Sequence, residues 1–486
     1  MGSLRRAPAR WKVVAPALLA LAVLAEVAVL RVGIDDLDEG YFANQALRVL
    51  QGQVPYRDFD SLYTPGLLYL HAAIFALLGG PSLLALRVVS LIGRALLFGM
   101  TYVLGQSLAR PWWAAVPPIL LLAGLDAVPN RWEPHPGWLS TGFALLAVWL
   151  LPRRVASAGA AAGLAFAFKQ NTGVFLLVAV ALFTWLTRAS FRAWLACVGQ
   201  TLAGFGLVTL AWLLPLLVAI DGELARLAPF IGGVNQAALF SPPEALALLP
   251  LAAGVLGLWW GWTGSSTRHP LLAWYVVAGW SLFLTEYPRM DVAHLAWSAP
   301  LLLVLGAIAV DHLPGQMGVL ALSAVVLGSI PSLVWRSEPL REPVMPISDL
   351  PVADAIIVPT QTRDDLVGTV REIQARTEPR EPIFVYPASP LLYVLAERPN
   401  ATRYDHIYPD AAPPAEVAAV IRQLAEVRLV VTSDFWRRFF GPPGTNAPLE
   451  QYLATHYQEV ARYGAYHVLV TISEHRGRQM APGASL

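Results

Sequence analysis

The feature that most constrains this chain is a succession of apolar segments, each long enough to cross a bilayer. A membrane-crossing helix needs about 20 mainly apolar residues, because the hydrocarbon core is about 30 Å thick. Only 14% of the residues are charged, against roughly a quarter in soluble domains. The pattern predicts a polytopic α-helical membrane protein with about 11 transmembrane helices. The predicted spans are 13–30, 84–109, 111–127, 136–152, 155–169, 171–187, 193–220, 244–262, 270–286, 293–312 and 316–335.

The arginines and lysines of the short loops predict the orientation, since such residues favour the cytoplasmic side. All of them can be cytoplasmic only if an odd number of crossings separates residues 31–66 from Arg110. We therefore expect segment 62–78 to lie in the interface or to dip back. This predicts an inner or plasma membrane protein with a cytoplasmic N-terminus and an extracytoplasmic C-terminus. The basic residues used are Arg5, Arg6, Arg10, Lys12, Arg110, Arg153, Arg154, Arg188, Arg192 and Arg268.

Composition divides the chain near residue 339, where it becomes rich in proline and charge. Residues 1–338 are the predicted transmembrane domain, and 339–486 are a predicted soluble, extracytoplasmic α/β domain. Its β-type runs are 382–386, 428–432 and 466–472, and 363–376 has the spacing of a helix. No glycine-rich phosphate loop follows a strand, so we predict no nucleotide site there. The net charge of +1 gives no argument for nucleic acid, and one cysteine, Cys197, excludes an intramolecular disulfide.

The acidic loop, residues 31–66, is the strongest candidate site. Asp35, Asp36, Asp38 and Glu39 stand together directly after the first span. Carboxylates beside a membrane are costly and usually mark a functional site, although a solvated charged loop is the alternative. From Asp38 the spacing predicts an amphipathic helix on the membrane surface, in which a carboxylate could act as a general base. A helix N-cap is the structural alternative for Asp38.

The order of motifs in this loop is specific enough to suggest a family. Asp-Glu-Gly is followed by a helix, by Gly-x-x-Pro-Tyr-x-Asp at 52–58, and by Tyr-Thr-Pro-Gly at 63–66. This layout resembles membrane glycosyltransferases of the GT-C fold, in the family 39-like branch of protein mannosyltransferases and lipid A aminoarabinose transferases. Residues 169–171, 289–294 and 385–405 also look like stretches of bacterial members. Thr-Pro-Gly replaces the Pro-Pro of the family, which suggests a different acceptor.

The resemblance implies an enzyme that moves a sugar from a polyprenyl-phosphate donor to a glycan, lipid or protein acceptor at the outer face, with inversion. Asp38 with Glu39 would be catalytic. A phosphate leaving group needs fixed cations, for which Lys169, Arg289 and His294 are the candidates. Snorkelling is the alternative for Lys169, and a surface ion pair for Arg289. The candidates for substrate binding are Asp36, Tyr41, Tyr63, Asp126, Arg131 and Glu133.

The sequence leaves alternatives open for the cofactor and for the class of function. Carboxylate clusters suit Mg²⁺, Mn²⁺ or Ca²⁺, so the sequence leaves a divalent cation at the acidic loop as an open alternative and assigns no other cofactor. His135 and His294 are too isolated in sequence to argue for a metal site. Aromatic residues of the loops could stack on a sugar or belong to the interface belts. The competing functions are a flippase for a lipid-linked glycan and a non-catalytic assembly subunit.

Overall fold

The computed structural model describes residues 11–121, 134–227, 248–263, 270–286, 292–312, 342–408 and 413–472. The part before residue 313 is helical. Its helices are α1 (Trp11–Val29), α2 (Asp38–Leu50), α3 (Gly66–Leu78), α4 (Leu83–Gln106), α5 (Pro111–Leu120), α6 (Gly137–Leu150), α7 (Val155–Phe168), α8 (Gln170–Thr187), α9 (Phe191–Ala219), α10 (Leu248–Thr263), α11 (Pro270–Phe283), α12 (Val292–Ser298) and α13 (Pro300–Asp311).

Three of the described helices, α4, α8 and α9, are by themselves long and apolar enough to cross a membrane. Shorter apolar helices, α3, α6, α7 and α13, accompany them. The multi-pass architecture expected from the sequence agrees with these helices. The number of about 11 crossings stays a prediction, because 122–133, 228–247 and 313–341 lie outside the described residues.

Glycine residues allow the apolar helices α7 and α9 to pack closely. A Cβ added to Gly159 on α7 would lie 2.0 Å from the backbone oxygen of Thr201, and one on Gly204 of α9 would lie 1.9 Å from that of Ala156. Such contacts are possible only because glycine has no side chain. Helices surrounded by lipid gain little from the hydrophobic effect and associate through this kind of close backbone approach. Much of α9 remains exposed, as a lipid-facing helix requires.

Within its described residues, the part after residue 341 contains six strands and further helices. Strands β3, β4, β6 and β5 form a sheet in that order, with β3 and β4 parallel and the other pairs antiparallel. Strands β1 and β2 pair separately. The elements are β1 (Val344–Pro346), β2 (Ile357–Pro359), α14 (Thr360–Arg376), β3 (Phe384–Tyr386), α15 (Leu391–Ala396), α16 (Pro414–Leu424), β4 (Leu429–Ser433), α17 (Asp434–Phe440), α18 (Ala447–His456), β5 (Tyr457–Tyr463) and β6 (Tyr466–Thr471).

The predicted strand runs and the predicted helix at 363–376 are confirmed as β3, β4, β6 and α14. Leu366, Val370 and Ile373 are buried along one face of α14, as their spacing requires. Strand β5 was missed by the sequence analysis. It lies at the edge of the sheet and most of its side chains are partly or fully exposed, so it lacks an apolar run.

The sheet elements pack directly onto the acidic loop. A Cβ on Gly40 of α2 would lie 2.3 Å from the backbone nitrogen of Leu391, so α2 and α15 touch backbone to backbone. Buried Asp405 accepts hydrogen bonds from Asn44 Nδ2 at 2.7 Å and from Gln45 Nε2 at 2.9 Å. These contacts hold α2 against the segment that follows β3, and they fix where the acidic loop lies.

Candidate active site

Helix α2 begins at Asp38, but the carboxylate that caps it belongs to Asp35. Asp35 Oδ1 accepts hydrogen bonds from the backbone nitrogens of Leu37 at 3.0 Å and Asp38 at 3.2 Å. Such contacts satisfy donors that the first turn of a helix leaves unpaired. Asp38 itself is partly exposed. The capping role that the sequence left open for Asp38 is therefore filled by Asp35.

Glu39 has a different environment from its neighbour. Its carboxylate forms two hydrogen bonds with Arg87 of α4, at 2.6 Å from Nε and 2.8 Å from Nη2, and neither side chain is exposed. Arg87 also donates to the backbone oxygens of Leu30 and Gly33. The pair thus joins α2, α4 and the end of the first helix. Asp38 and Glu39, predicted together as catalytic, lie in unlike surroundings.

Asp36 is surrounded by donors from the sheet region. Its Oδ2 accepts from Ser389 Oγ at 2.5 Å and from Tyr466 Oη at 2.6 Å, and its Oδ1 accepts from Trp436 Nε1 at 3.1 Å. Burial raises the pKa of Asp36, and the hydrogen bonds offset this in part. Asp36, predicted to bind substrate, therefore joins the acidic loop to β6 and α17.

Tyr41 supports the acidic loop from within. Its hydroxyl accepts a hydrogen bond from the backbone nitrogen of Leu62 at 3.0 Å, and its ring lies 5.2 Å from that of His406. Burial raises the pKa of Tyr41 and lowers the pKa of His406 to about 4. Both residues are therefore neutral near pH 7.

A ring cluster, defined as Phe42, Tyr63, His135, His294 and Trp297, lies beside α2. The Tyr63 ring centroid lies 5.7 Å from that of Phe42 and 5.2 Å from that of His135. His135 stacks on Trp297 at 4.1 Å, and His294 lies 5.2 Å from Trp297. Phe42 follows Asp38 by one helical turn, so both occupy one face of α2. That face is turned toward the ring cluster.

Lys169 reaches the same cluster from a break between two helices. Helix α7 ends at Phe168 and α8 begins at Gln170, so Lys169 has an extended backbone between them. Its Nζ lies 2.5 Å from Glu286 Oε1 and 5.3 Å from the centre of the Trp297 ring, and both charged side chains are buried. The side chain of Gln170 donates to the backbone oxygen of Leu62, which ties this break to the acidic loop.

The structure therefore brings His135, Lys169 and His294 together around Trp297, and Tyr63 contacts His135. Within the described ranges the indole nitrogens of Trp138 and Trp297 are buried and have no hydrogen-bond acceptor. The two rings lie 5.3 Å apart.

Four other predicted site residues, Asp126, Arg131, Glu133 and Arg289, lie outside the described residues. Arg87, Glu286 and His135 were not predicted as site residues from the sequence. Arg87 and Glu286 were detectable in principle, because charged residues inside apolar segments are functional candidates by default. His135 had no local signal, since its contacts are to residues distant in sequence.

The acidic loop gives no local support for a cation site. Across the described ranges, no group of three or more His, Cys, Asp or Glu side chains is arranged to hold a metal ion. Asp35 Oδ1 and both oxygens of Asp36 accept hydrogen bonds from the protein. A divalent cation stays an untested prediction.

The fold has solved relatives. The crystal structure of ArnT from Cupriavidus metallidurans bound to undecaprenyl phosphate matches with a TM-score of 0.57 and 14% identity, covering 95% of this chain and 98% of that chain. The apo structure of the same protein matches with a TM-score of 0.58 and 14% identity, covering 96% and 98%. The chain is thus a multi-pass membrane protein with the ArnT fold, which confirms the fold-level resemblance predicted from the acidic loop.

A third solved structure matches only part of this chain. The Saccharomyces cerevisiae protein O-mannosyltransferase Pmt1-Pmt2 complex bound to its sugar donor matches 47% of this chain and 36% of that chain, with 18% identity and a TM-score of 0.34. A match that covers so little of the two chains supports no conclusion about this protein. No protein-family model and no curated protein matches the sequence.

Proposed function

We propose that the chain is a glycosyltransferase that moves a sugar from a polyprenyl-phosphate-linked donor to an acceptor hydroxyl. One observation supports this above all. Lys169 and His294, far apart in sequence, both lie against the Trp297 ring, in a ring cluster that includes Phe42, one helical turn after Asp38 on α2. The ArnT fold adds support, since one solved structure with that fold contains undecaprenyl phosphate.

Asp38 is the proposed general base. It would accept the proton of the acceptor hydroxyl while the hydroxyl oxygen bonds to the anomeric carbon. The bond between that carbon and the phosphate oxygen would break, and the electron pair would leave with the lipid phosphate. Attack from the face opposite the phosphate inverts the anomeric centre. Glu39 would act through Arg87, by holding α2 in place, rather than by touching substrate.

The leaving phosphate needs donors and positive charge. One of the three N–H donors of Lys169 bonds to Glu286, and the other two could donate hydrogen bonds to phosphate oxygens. Because Glu286 neutralises Lys169, we propose that His294 and Arg289 supply the net positive charge. A divalent cation could add to this charge.

The remaining assignments are part of the same proposal. The acidic loop and the sheet region would lie on the extracytoplasmic face of an inner or plasma membrane, with the N-terminus in the cytoplasm. The acceptor would be a glycan, lipid or protein. Tyr63, Tyr41 and Asp36 would shape the substrate region, together with Asp126, Arg131 and Glu133. A flippase or an assembly subunit is not favoured, because the solved structures of this fold support a transferase.

The test is transfer from a panel of radiolabelled polyprenyl-phosphate sugars by purified protein, with and without a chelator. Wild type, Asp38→Asn and Asp58→Asn would be compared. Asp58 is the matched control, because it lies in the same loop, is partly exposed and pairs with Arg57. We expect one donor to be turned over by wild type and Asp58→Asn, and not by Asp38→Asn. Equal turnover by the two variants would refute the role of Asp38. No turnover of any donor while polyprenyl phosphate still binds would refute the transferase.

A further inference from the structure

Helix α17 carries aromatic residues on two faces. Trp436 and Phe440, four residues apart, share the face that packs inward, where Trp436 is 3% exposed and the two rings lie 5.6 Å apart. Phe435 and Phe439 are also four residues apart and lie on another face, where they are 52% and 63% exposed. The packing of the helix therefore accounts for only half of its aromatic residues.

The exposed face of α17 is defined as Phe435, Arg438 and Phe439. The two phenyl rings lie 6.3 Å apart at an interplanar angle of 20°, and so form one apolar patch. Among the described residues after 341, Val344 is the only other exposed large apolar side chain. Single exposed apolar residues need no explanation, but contiguous ones mark an interaction surface. This patch is therefore the strongest candidate for an interaction surface in the described part of the sheet region.

Two adjacent arginines of α17 have different surroundings. Arg437 pairs with Glu450 at 3.4 Å, and its guanidinium carbon lies 5.6 Å from the centre of the Tyr386 ring. Arg438 is exposed, and no ion pair holds it within the described ranges. It follows Phe435 by three residues, so its charge lies beside the apolar patch. The exposed face thus combines two aromatic rings with one positive charge that is available to an anion.

Helix α17 is attached to the acidic loop at two points. Trp436 Nε1 donates to Asp36 Oδ1 at 3.1 Å. A row of rings also leads to α2, with successive centroids 4.7, 4.2 and 5.2 Å apart for Phe440, Tyr408, His406 and Tyr41. Asp36 follows Val29, the last residue of α1, by seven residues, which span at most about 25 Å. Because α1 is the first predicted span, α17 is held close to the membrane surface.

We propose that the exposed face of α17 rests on the bilayer surface, with both phenyl rings among the lipid headgroups and Arg438 at the lipid phosphates. A basic helix with aromatic residues on one face is typical of segments at the membrane interface. Since the chain is already anchored in the membrane, the local concentration of lipid is high and a small contact is sufficient. The attachment through Asp36 would then fix the height of the acidic loop above the lipid. This inference does not depend on the transferase proposal.

The test places a fluorescent probe on the exposed face of the full-length protein. In a Cys197→Ala background, which removes the only cysteine, Phe439→Cys or Glu426→Cys would carry an environment-sensitive naphthalene dye. Glu426 is the matched control, because it is exposed and precedes β4, whose other end leads into α17. The samples are nanodiscs of phosphatidylcholine and phosphatidylglycerol, with and without lipids that carry a quencher near the headgroup. We expect blue-shifted, quenched emission at 439 and water-like, unquenched emission at 426.

Variants of the two arginines separate a lipid contact from burial within protein. Arg438→Gln should lower the ratio of lipid-contacting to free probe about fivefold, the effect of one basic residue at an anionic surface. Arg437→Gln should leave the ratio unchanged, because Arg437 already pairs with Glu450. Water-like emission at 439, or equal quenching at 439 and 426, would overturn the proposal. So would blue-shifted emission that the quencher lipids do not reduce, because protein would then cover the face.

Discussion

Glu39 and Arg87 form a bidentate ion pair in which neither side chain has any exposed surface, with N–O distances of 2.6 and 2.8 Å. The residue before Glu39 is Asp38, which is partly exposed and shares a helix face with Phe42 of the ring cluster. The two adjacent carboxylates therefore have different environments. Glu39 holds the start of α2 to α4, and Asp38 is the proposed base.

Breaking the Glu39–Arg87 pair should destabilise the protein without altering its substrate preference. Glu39→Gln leaves Arg87 as a buried charge with reduced compensation, a change that typically costs about 3–5 kcal/mol. Thermal unfolding in detergent should show a large fall in Tm. The double variant Glu39→Leu/Arg87→Met, which removes both charges, should recover part of that fall. A Glu39→Gln protein with the Tm of wild type would contradict this role.

Replacing Asp38 should lower activity and leave thermal stability nearly unchanged, which is the reverse of the effect expected for Glu39→Gln. Asp38→Asn removes the proposed base but no capping contact, because Asp35 caps the helix. We expect kcat to fall about 10²–10⁴-fold, the range for general-base catalysis, with little change in Tm. Steady-state kinetics and thermal unfolding on one preparation would measure both. A fall in Tm as large as that of Glu39→Gln would instead make Asp38 structural.

Asp36 should make stability depend on pH. Burial raises its pKa above the ordinary value of 3.8, so the folded state binds this proton more tightly than the unfolded state. The stabilising contribution is complete below the ordinary pKa and is lost as pH rises through the raised pKa. Tm of wild type should therefore fall, relative to Asp36→Asn, as pH rises through this window.

The control for the pH experiment is Asp58→Asn. The Arg57 guanidinium holds the pKa of Asp58 below its usual range, so the linkage has the opposite sign and its contribution is lost as pH falls. Asp58 is also well solvated, which makes the effect small. If the Tm difference between wild type and Asp36→Asn did not change with pH, Asp36 would not titrate differently in the folded protein.

Removing the partner of Lys169 should affect binding and stability in opposite directions. Glu286→Gln leaves the buried ammonium without its counter-charge, so Tm should fall. The site would also become more positive, so polyprenyl phosphate should bind more tightly, while the uncharged polyprenol should not. Affinity for the two lipids, measured beside Tm, checks both effects. Weaker phosphate binding by Glu286→Gln would indicate that Glu286 orients Lys169 rather than masking its charge.

Local patterns predicted the elements well. Helix α2 begins at Asp38 as predicted, because the apolar residues after Asp38 recur with helical spacing. Strands β3, β4 and β6 were predicted from short apolar runs, while the edge strand β5 was not, because an exposed strand needs no such run. Periodicity reports whether a segment has a buried face. It does not report which segment covers that face.

The sequence by itself determined that this is a membrane protein with an acidic loop and a charged, strand-containing C-terminal region, because hydropathy and periodicity are local properties of the chain. Only the tertiary structure decided which residues of the chain pair with one another. Arg87 meets Glu39 48 residues away, and His135 meets Tyr63 72 residues away. In each case a buried polar group had to find a partner out of contact with water. The packing of the elements against one another decided which partners were within reach.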